Sequence, residues 1–293
     1  MISVSDRALA DRLEAALAAR ALTLAFQPKI RLATGAVSGV EAVSRWHDPA
    51  LGEVPPTRFV AIAEQAGLID DLTDWLLDEA FAQWGSWAEQ GLAPRLAINI
   101  SALSLRDIAL PDRIQRLAMQ AGLGCERLTV EVTESARQNA VPLLDTLTRF
   151  RLKGIGVSLD DFGTGYSSLV QLRQLPYSEV KVDRCFVHDA AVSRESRLIV
   201  KAVVDLAHGM GLSAIAEGVE DEATLALLED LGCDEAQGFL IARPMPGAAF
   251  AEWLLASGRR LDPSSPGARS PASAGPIGYT DREARARRWE AVR

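Results

Sequence analysis

The chain has 293 residues, of which 48% are hydrophobic and 24% charged, and its formal net charge is -8. This length and composition fit an ordinary globular protein with one large domain or two small ones and a sizeable core. The acidic balance excludes broad binding to a nucleic-acid polymer, which needs a basic face, but not a small anionic ligand joined to carboxylates through divalent metal.

In chain order, Ser5–Arg20 has a helical pattern, with Leu9, Leu13 and Leu17 repeating every fourth residue along one face. Two strand-like segments follow, Leu24–Leu32 and Val37–Arg45, joined by Ala33-Thr34-Gly35-Ala36. So short a link predicts an antiparallel pair, because a parallel pair needs a crossover. Helices are then expected over Pro56–Ala66 and Asp71–Gln90, a strand over Arg95–Ile100, and a helix over Leu105–Ala121. The alternation continues with strand Arg127–Thr133, helix Val141–Leu152, strand Ile155–Leu159, helix Ser167–Arg173 and strand Glu179–Val182. Helix Glu195–Met210, strand Ser213–Ala216, helix Glu222–Leu231 and a short strand at Glu235–Gln237 complete it.

Eight strands with helices between most of them fit either a (β/α)8 barrel or a doubly wound sheet, and the count favours the barrel. The antiparallel start makes it a modified, TIM-like barrel. The strand cores LAI, LTVEV, IGVSL and SAIA read as buried on both faces. The expected organisation is an N-terminal helix over 1–20, a barrel over 21–260 and a tail over 261–293 that is rich in Pro, Ser, Gly and Ala with a short basic end. Cys125, Cys185 and Cys233 are too few and too scattered for a disulfide framework or a CxxC site. The first twenty residues carry charges throughout, and no run reaches the roughly 18 apolar residues of a membrane span. A cytoplasmic protein with reduced thiols is expected.

Polar residues gather at the second half or the end of these strands. Glu41, Asn99 and Glu131 lie within strands, and Asp160 and Asp161 close the fifth. Lys181 and Asp183 lie in or just after the sixth, Glu217 ends the seventh and Gln237 ends the eighth. In an α/β barrel the C-terminal face holds the active site, so the fold gathers these residues onto one rim. An Asp after a strand often caps the next helix, which alone would explain Asp160 or Asp161. Glu41 and Glu131 have apolar neighbours that imply burial, and an unpaired buried carboxylate is costly. One lysine cannot neutralise the set. Divalent metal is the natural complement, and oxygen ligands without histidine suit Mg²⁺ or Mn²⁺ better than zinc. Two such ions are a recurring solution for in-line phosphodiester displacement.

The motif EAVSRW at Glu41–Trp46 resembles the EALxRW signature of EAL-domain phosphodiesterases. FQP at Phe26–Pro28 precedes it, and INIS, EVTES, DDFGTGYSSL, KVDRCF, AEGVE and QGFLIARPMP follow in the family's order, over roughly residues 20–255. The resemblance implies a modified barrel whose first strand runs antiparallel, and cyclic di-GMP as substrate with linear 5′-pGpG as product. It implies Glu41, Asn99, Glu131 and Asp160 as ligands of one Mg²⁺ or Mn²⁺. Asp160, Asp161 and Glu217 are implied for a second, with Asp183 beside the metals. Lys181 is implied to hold or polarise the attacking water, with Glu41 and Glu217 also in the catalytic set. Glu134 is implied to anchor the DDFGTGYSS loop, and Gln27, Arg45, Glu220 and Gln237 to lie near the substrate. A homodimer, coupled to the site through the loop after Asp161, is implied as well. Departures are Val43 for the leucine of the triplet and Ser44 for a commonly apolar residue, neither of which removes a metal ligand. The alternative is a module that binds cyclic di-GMP without cleaving it, or a regulator acting through protein contacts.

Overall fold

Each strand of the central sheet has two buried faces, and they carry different chemistry. In Arg95–Asn99, Leu96 and Ile98 are fully buried in the hydrophobic core, while Arg95, Ala97 and Asn99 alternate with them. In Leu128–Thr133, Leu128, Val130 and Val132 join the core, and Thr129, Glu131 and Thr133 point the other way. The apolar face meets a layer of helices. The polar face lines the inside of a closed sheet.

A computed structural model describes residues 4–133, 140–163 and 169–263. Its elements are α1 (Val4–Ala18), β1 (Thr23–Arg31), β2 (Val37–Asp48), β3 (Gly52–Val54), α2 (Pro56–Ala66), α3 (Ile69–Glu89), β4 (Arg95–Asn99), α4 (Leu110–Gln120), β5 (Leu128–Thr133) and α5 (Ala140–Leu152). Then come β6 (Gly156–Phe162), α6 (Leu169–Gln174), β7 (Glu179–Val182), α7 (Arg184–Val187), α8 (Arg194–Gly209), β8 (Ser213–Ala216), α9 (Glu222–Asp230), β9 (Glu235–Gln237), β10 (Met245–Pro246) and α10 (Gly247–Ala256). The sheet runs β1-β2-β4-β5-β6-β7-β8-β9 and returns to β1. All neighbours pair in parallel except β1, which is antiparallel to both β2 and β9. This is the expected TIM-like barrel with an inverted first strand.

The helices start and stop where the local chemistry directs. Pro56 opens α2, where its missing N–H costs nothing, and Gly67 closes it in the left-handed region at φ 77°. Ser193 caps α8 and Asp221 caps α9, each side chain accepting a backbone N–H three residues on. Between barrel and helices, Trp87 of α3 packs edge-on to Phe26 of β1 at 4.8 Å and against Phe250 of α10 at 5.0 Å. Its indole N–H donates to the Gly247 carbonyl. Burying each such ring contributes roughly 1.5–3 kcal/mol. α1 packs on the same core through Leu9 and Leu13, with Leu17 partly buried beside them, and Arg12 reaches Asp48 at 3.1 Å.

Four short elements escaped the periodicity reading. β2 continues past Arg45 to Asp48 and turns into β3, because the Asp48 carboxylate accepts the N–H groups of Ala50 and Leu51. β10 pairs with the outer half of β1, and α7 and α10 follow strands where one turn or an apolar stretch left no clear period. The helix expected from Leu105 begins at Leu110. Residues Ser104–Arg106 make a separate 3-10 turn, and Asp107, with ψ near 104°, interrupts the run. At the base of the barrel, Leu261 bridges to Val37 and Asp262 pairs with Arg31, so the chain beyond α10 straps the first hairpin.

Candidate active site

Strand register dictates which side chains meet inside the barrel. Gln27 of β1 lies directly across from Glu41 of β2, and Asn99 of β4 lies beside Glu131 of β5. Lys181 of β7 shares that inward parity and is 1% exposed, less than any other charged side chain in the layer except Glu131. Its ammonium is the hub. It stands 2.7 Å from Glu131 Oε2, 3.3 Å from Asp160 Oδ1, 3.4 Å from Glu41 Oε2 and 2.5 Å from Glu217 Oε1. Around Glu41, the Asn99 amide donates to Oε1 at 2.8 Å and the Gln237 amide donates to Oε2 at 2.8 Å. Gln237 also donates to Gln27, which in turn donates to the Ala242 carbonyl. Eight residues from eight barrel strands or their ends thus form one connected cluster.

Asp160 and Asp161 are consecutive, and simple alternation would send them to opposite faces. A bulge prevents this. β6 pairs with β7 at Leu159↔Val180 and next at Phe162↔Val182, one residue out of step. Asp161 takes up the extra residue at φ 57°, a left-handed conformation that Asp tolerates better than most residues, and its N–H donates to Asp160 Oδ1. Both carboxylates then face the rim. With Glu217 they bring one oxygen each within 4.8 Å of one another.

A second buried lysine joins the cluster. Lys29 of β1 is 4% exposed, and its ammonium lies 3.1 Å from Glu131 Oε1. The expectation of a single neutralising lysine is corrected here. The signal was present, since Gln27, Lys29 and Arg31 share one face of β1, but a strand that opens a barrel reads equally well as an edge with its lysine in water.

The charges do not balance. Glu41, Glu131, Asp160, Asp161 and Glu217 face two ammonium groups. Burial pushes the Glu217 carboxyl up to about 8, against the pull of Lys181 and with Asp160 and Glu41 adding repulsion. Burial, together with the charges of Asp160 and Asp183, pushes Asp161 up to about 6. Burial and the Glu131 charge raise Glu41. Glu131 behaves oppositely: burial would raise it, but Lys181 and Lys29 outweigh burial and hold it at about 2. Burial disfavours the Lys181 charge, yet Glu131, Glu217, Glu41 and Asp160 hold its pKa well above the ordinary lysine value, so it stays an ammonium. Carboxyls held up by burial and by mutual repulsion are a donor set short of positive charge. That fits hard divalent cations. The buried Gln237 Oε1, with no hydrogen-bond partner among the described residues, adds a further free oxygen to the layer.

Other expected residues stand further out. Asp183 caps α7, accepting the Cys185 N–H at 2.8 Å, and its charge acts on Asp161. Arg45 is half-buried near the end of β2 and donates to the Ser44 carbonyl. Glu220 is exposed after β8, 3.9 Å from His188, outside the cluster around Lys181. Glu134 and residues 164–168 of the DDFGTGYSS loop lie outside the described residues.

An inverted-strand barrel with this carboxylate layer over its C-terminal mouth defines a recognisable class. The chain belongs to the EAL domain family, whose pattern matches residues 10–244. It is 43% identical over 247 residues to the bifunctional diguanylate cyclase/cyclic di-GMP phosphodiesterase MucR of Pseudomonas aeruginosa, covering 84% of this chain and 36% of that protein. It is 39% identical over 233 residues to the cyclic di-GMP phosphodiesterase PdeR of Escherichia coli, covering 79% of this chain and 35% of that one. The chain therefore spans little more than a third of the length of these curated relatives. Among solved structures, the MucR phosphodiesterase in complex with c-di-GMP superposes with a TM-score of 0.76 at 41% identity, covering 82% of this chain and 98% of that one. The EAL enzyme Bd1971, with cAMP and cyclic di-GMP bound, gives a TM-score of 0.80 at 28% identity over 85% of this chain and 69% of that one.

Proposed function

We propose that the chain hydrolyses cyclic di-GMP to linear 5′-pGpG, using two Mg²⁺ or Mn²⁺ ions. The single observation that carries this reading is the charge-deficient layer of five carboxylates around Lys181. Glu41, Asn99, Glu131 and Asp160 would hold one ion, and Asp160, Asp161 and Glu217 the other, with Asp183 supporting Asp161. Bound there, the ions would supply Lewis acidity that makes a water nucleophilic near neutral pH and would offset charge on the phosphate.

The chain's own residues do the rest. In the reaction a water gives up a proton as its oxygen bonds to phosphorus, the P–O3′ bond breaks, and the leaving 3′ oxygen takes up a proton. Lys181 is buried among four carboxylates, with its ammonium turned into the layer. It contributes a fixed positive charge and N–H donors to the attacking water and the developing phosphorane. Arg45 is suited to fork onto phosphate oxygens at the mouth. Gln237 holds Glu41 and is itself held by Gln27, and the two offer amide groups to the ligand from the β1–β9 side. Glu220, on the exposed loop beyond β8, borders the substrate. A homodimer is part of the proposal, supported by the family resemblance.

The test is incubation of purified protein with cyclic di-GMP and Mg²⁺ or Mn²⁺, with products separated by chromatography. Formation of 5′-pGpG that stops with chelator and with Glu41→Ala supports the reading. Tight binding of cyclic di-GMP with no turnover in any metal would replace it with the receptor alternative.

A further inference from the structure

We propose that Lys29 is a positioning residue for Glu131 that sets how tightly the carboxylate layer holds divalent cations. This rests on the reading of that layer as a metal site. The geometry is specific. Lys29 Nζ takes Glu131 Oε1 at 3.1 Å while Lys181 Nζ takes Oε2 at 2.7 Å, so each oxygen of one fully buried carboxylate has its own ammonium. Lys181 spreads its charge over four carboxylates, whereas the ion-pair partner of Lys29 is Glu131. The pairing on the Lys29 side therefore fixes the rotamer of Glu131 and leaves Oε2 as the oxygen turned to the layer.

Lys29 arrives there by register. It sits across β1 from Gly39 of β2 and Gln237 of β9, on the inward face with Gln27. Its Nζ is buried against the Glu131 carboxylate at 3.1 Å, an ion pair enclosed by the barrel. The Lys29–Glu131 ion pair thus sets a positive charge directly beside one of the proposed metal ligands. A like charge at this range opposes a divalent cation more strongly than a monovalent one, and burial weakens screening. Lys29 accordingly trades cation affinity for a carboxylate held in one orientation.

Lys29→Gln removes the charge and keeps an N–H donor for Oε1, while Lys29→Arg keeps the charge. Mn²⁺ binding to each purified chain is measured by titration calorimetry without substrate, and melting temperature is measured with and without Mn²⁺. Lys29→Gln is expected to bind Mn²⁺ at least about tenfold more tightly than wild type, the sign required by loss of a nearby like charge. Its melting temperature should fall without Mn²⁺ and recover with it, and Lys29→Arg should bind Mn²⁺ like wild type. A merely structural lysine would lower the melting temperature equally in both conditions. Should Lys29→Gln fail to fold without metal, folding on addition of Mn²⁺ would support the proposal, and failure to fold at any Mn²⁺ concentration would overturn it. Equal Mn²⁺ affinity in wild type and Lys29→Gln would overturn it too. A wild type that binds no Mn²⁺ would instead defeat the metal reading itself.

Discussion

The barrel interior holds two ionic layers, and they are built on opposite rules. At the base, Arg95 of β4 reaches Glu179 at 3.2 Å and Glu235 at 3.3 Å, and Arg31 of β1 reaches Glu235 at 3.3 Å and also Asp262. Ser38 donates to the other oxygen of Glu235 at 2.8 Å. Planar guanidinium groups meet carboxylates one or two at a time, which is how buried charge is made tolerable. At the mouth, one ammonium serves four carboxylates and, among the described residues, a second pairs with Glu131. Both layers are made by the same inward parity of the same strands. The base sets two guanidinium groups against three carboxylates, whereas the mouth sets two ammonium groups against five and is left for something cationic to complete.

The contrast can be broken by substitution. Glu217→Gln, at the mouth, should reduce turnover of cyclic di-GMP by roughly a thousandfold or more, while leaving the metal-free melting temperature unchanged or raised, because it removes repulsion. Product chromatography and thermal melting read the two effects. Glu235→Ala, at the base, should do the reverse. It leaves Arg95 with Glu179 and Arg31 with Asp262 and should cost about 1.5–3 kcal/mol in denaturant unfolding, with Mn²⁺ affinity of the folded protein within a few-fold of wild type. Equal effects of the two variants on stability would erase the distinction.

The mouth also has a pH dependence of its own. The Glu217 carboxyl is raised from 4.5 to about 8 in the folded chain. The folded state therefore holds a proton that the unfolded state releases, and metal-free stability should fall as pH rises between those values. Asp161, raised to about 6, adds to the fall in the lower part of that window. Glu131, lowered to about 2, contributes stability above 4.5 that is lost as pH drops through about 2. Saturating Mg²⁺ should abolish the decline above pH 5, since it binds the deprotonated forms. Melting temperature against pH, with and without Mg²⁺, checks this. The smallest expected effect is Asp161→Gly. Glycine accepts the left-handed bulge freely, so stability should shift by no more than about 1 kcal/mol, while calorimetry should show weaker Mn²⁺ binding.

Much of the mouth was readable without coordinates, for a definite reason. Barrel strands deliver whatever follows their midpoints to one face, so Glu41, Asn99, Glu131, Lys181, Glu217 and Gln237 needed only correct strand assignments to be brought together. The fold was legible because alternating strands and helices keep a clear period, and the four-residue link after Leu32 forced the inverted start. Three features were not legible. The bulge that turns Asp161 inward breaks the period on which strand reading depends. Lys29 lies on a first strand whose inner face is defined only once β9 closes on it. The base layer needed the register between β4, β7 and β9, which no local pattern encodes. Asp183 caps α7 and acts on Asp161 from beside the cluster, and Glu220 stands on the surface beyond β8.

The central claim is that the mouth is an incomplete ionic layer which divalent cations complete. Equilibrium dialysis of the purified chain against Mn²⁺ at pH 8, with the bound metal counted, tests it most directly. The account predicts two ions per chain, and weakened binding in Glu217→Gln. No Mn²⁺ bound above a Glu41→Gln, Asp160→Asn double variant would contradict it.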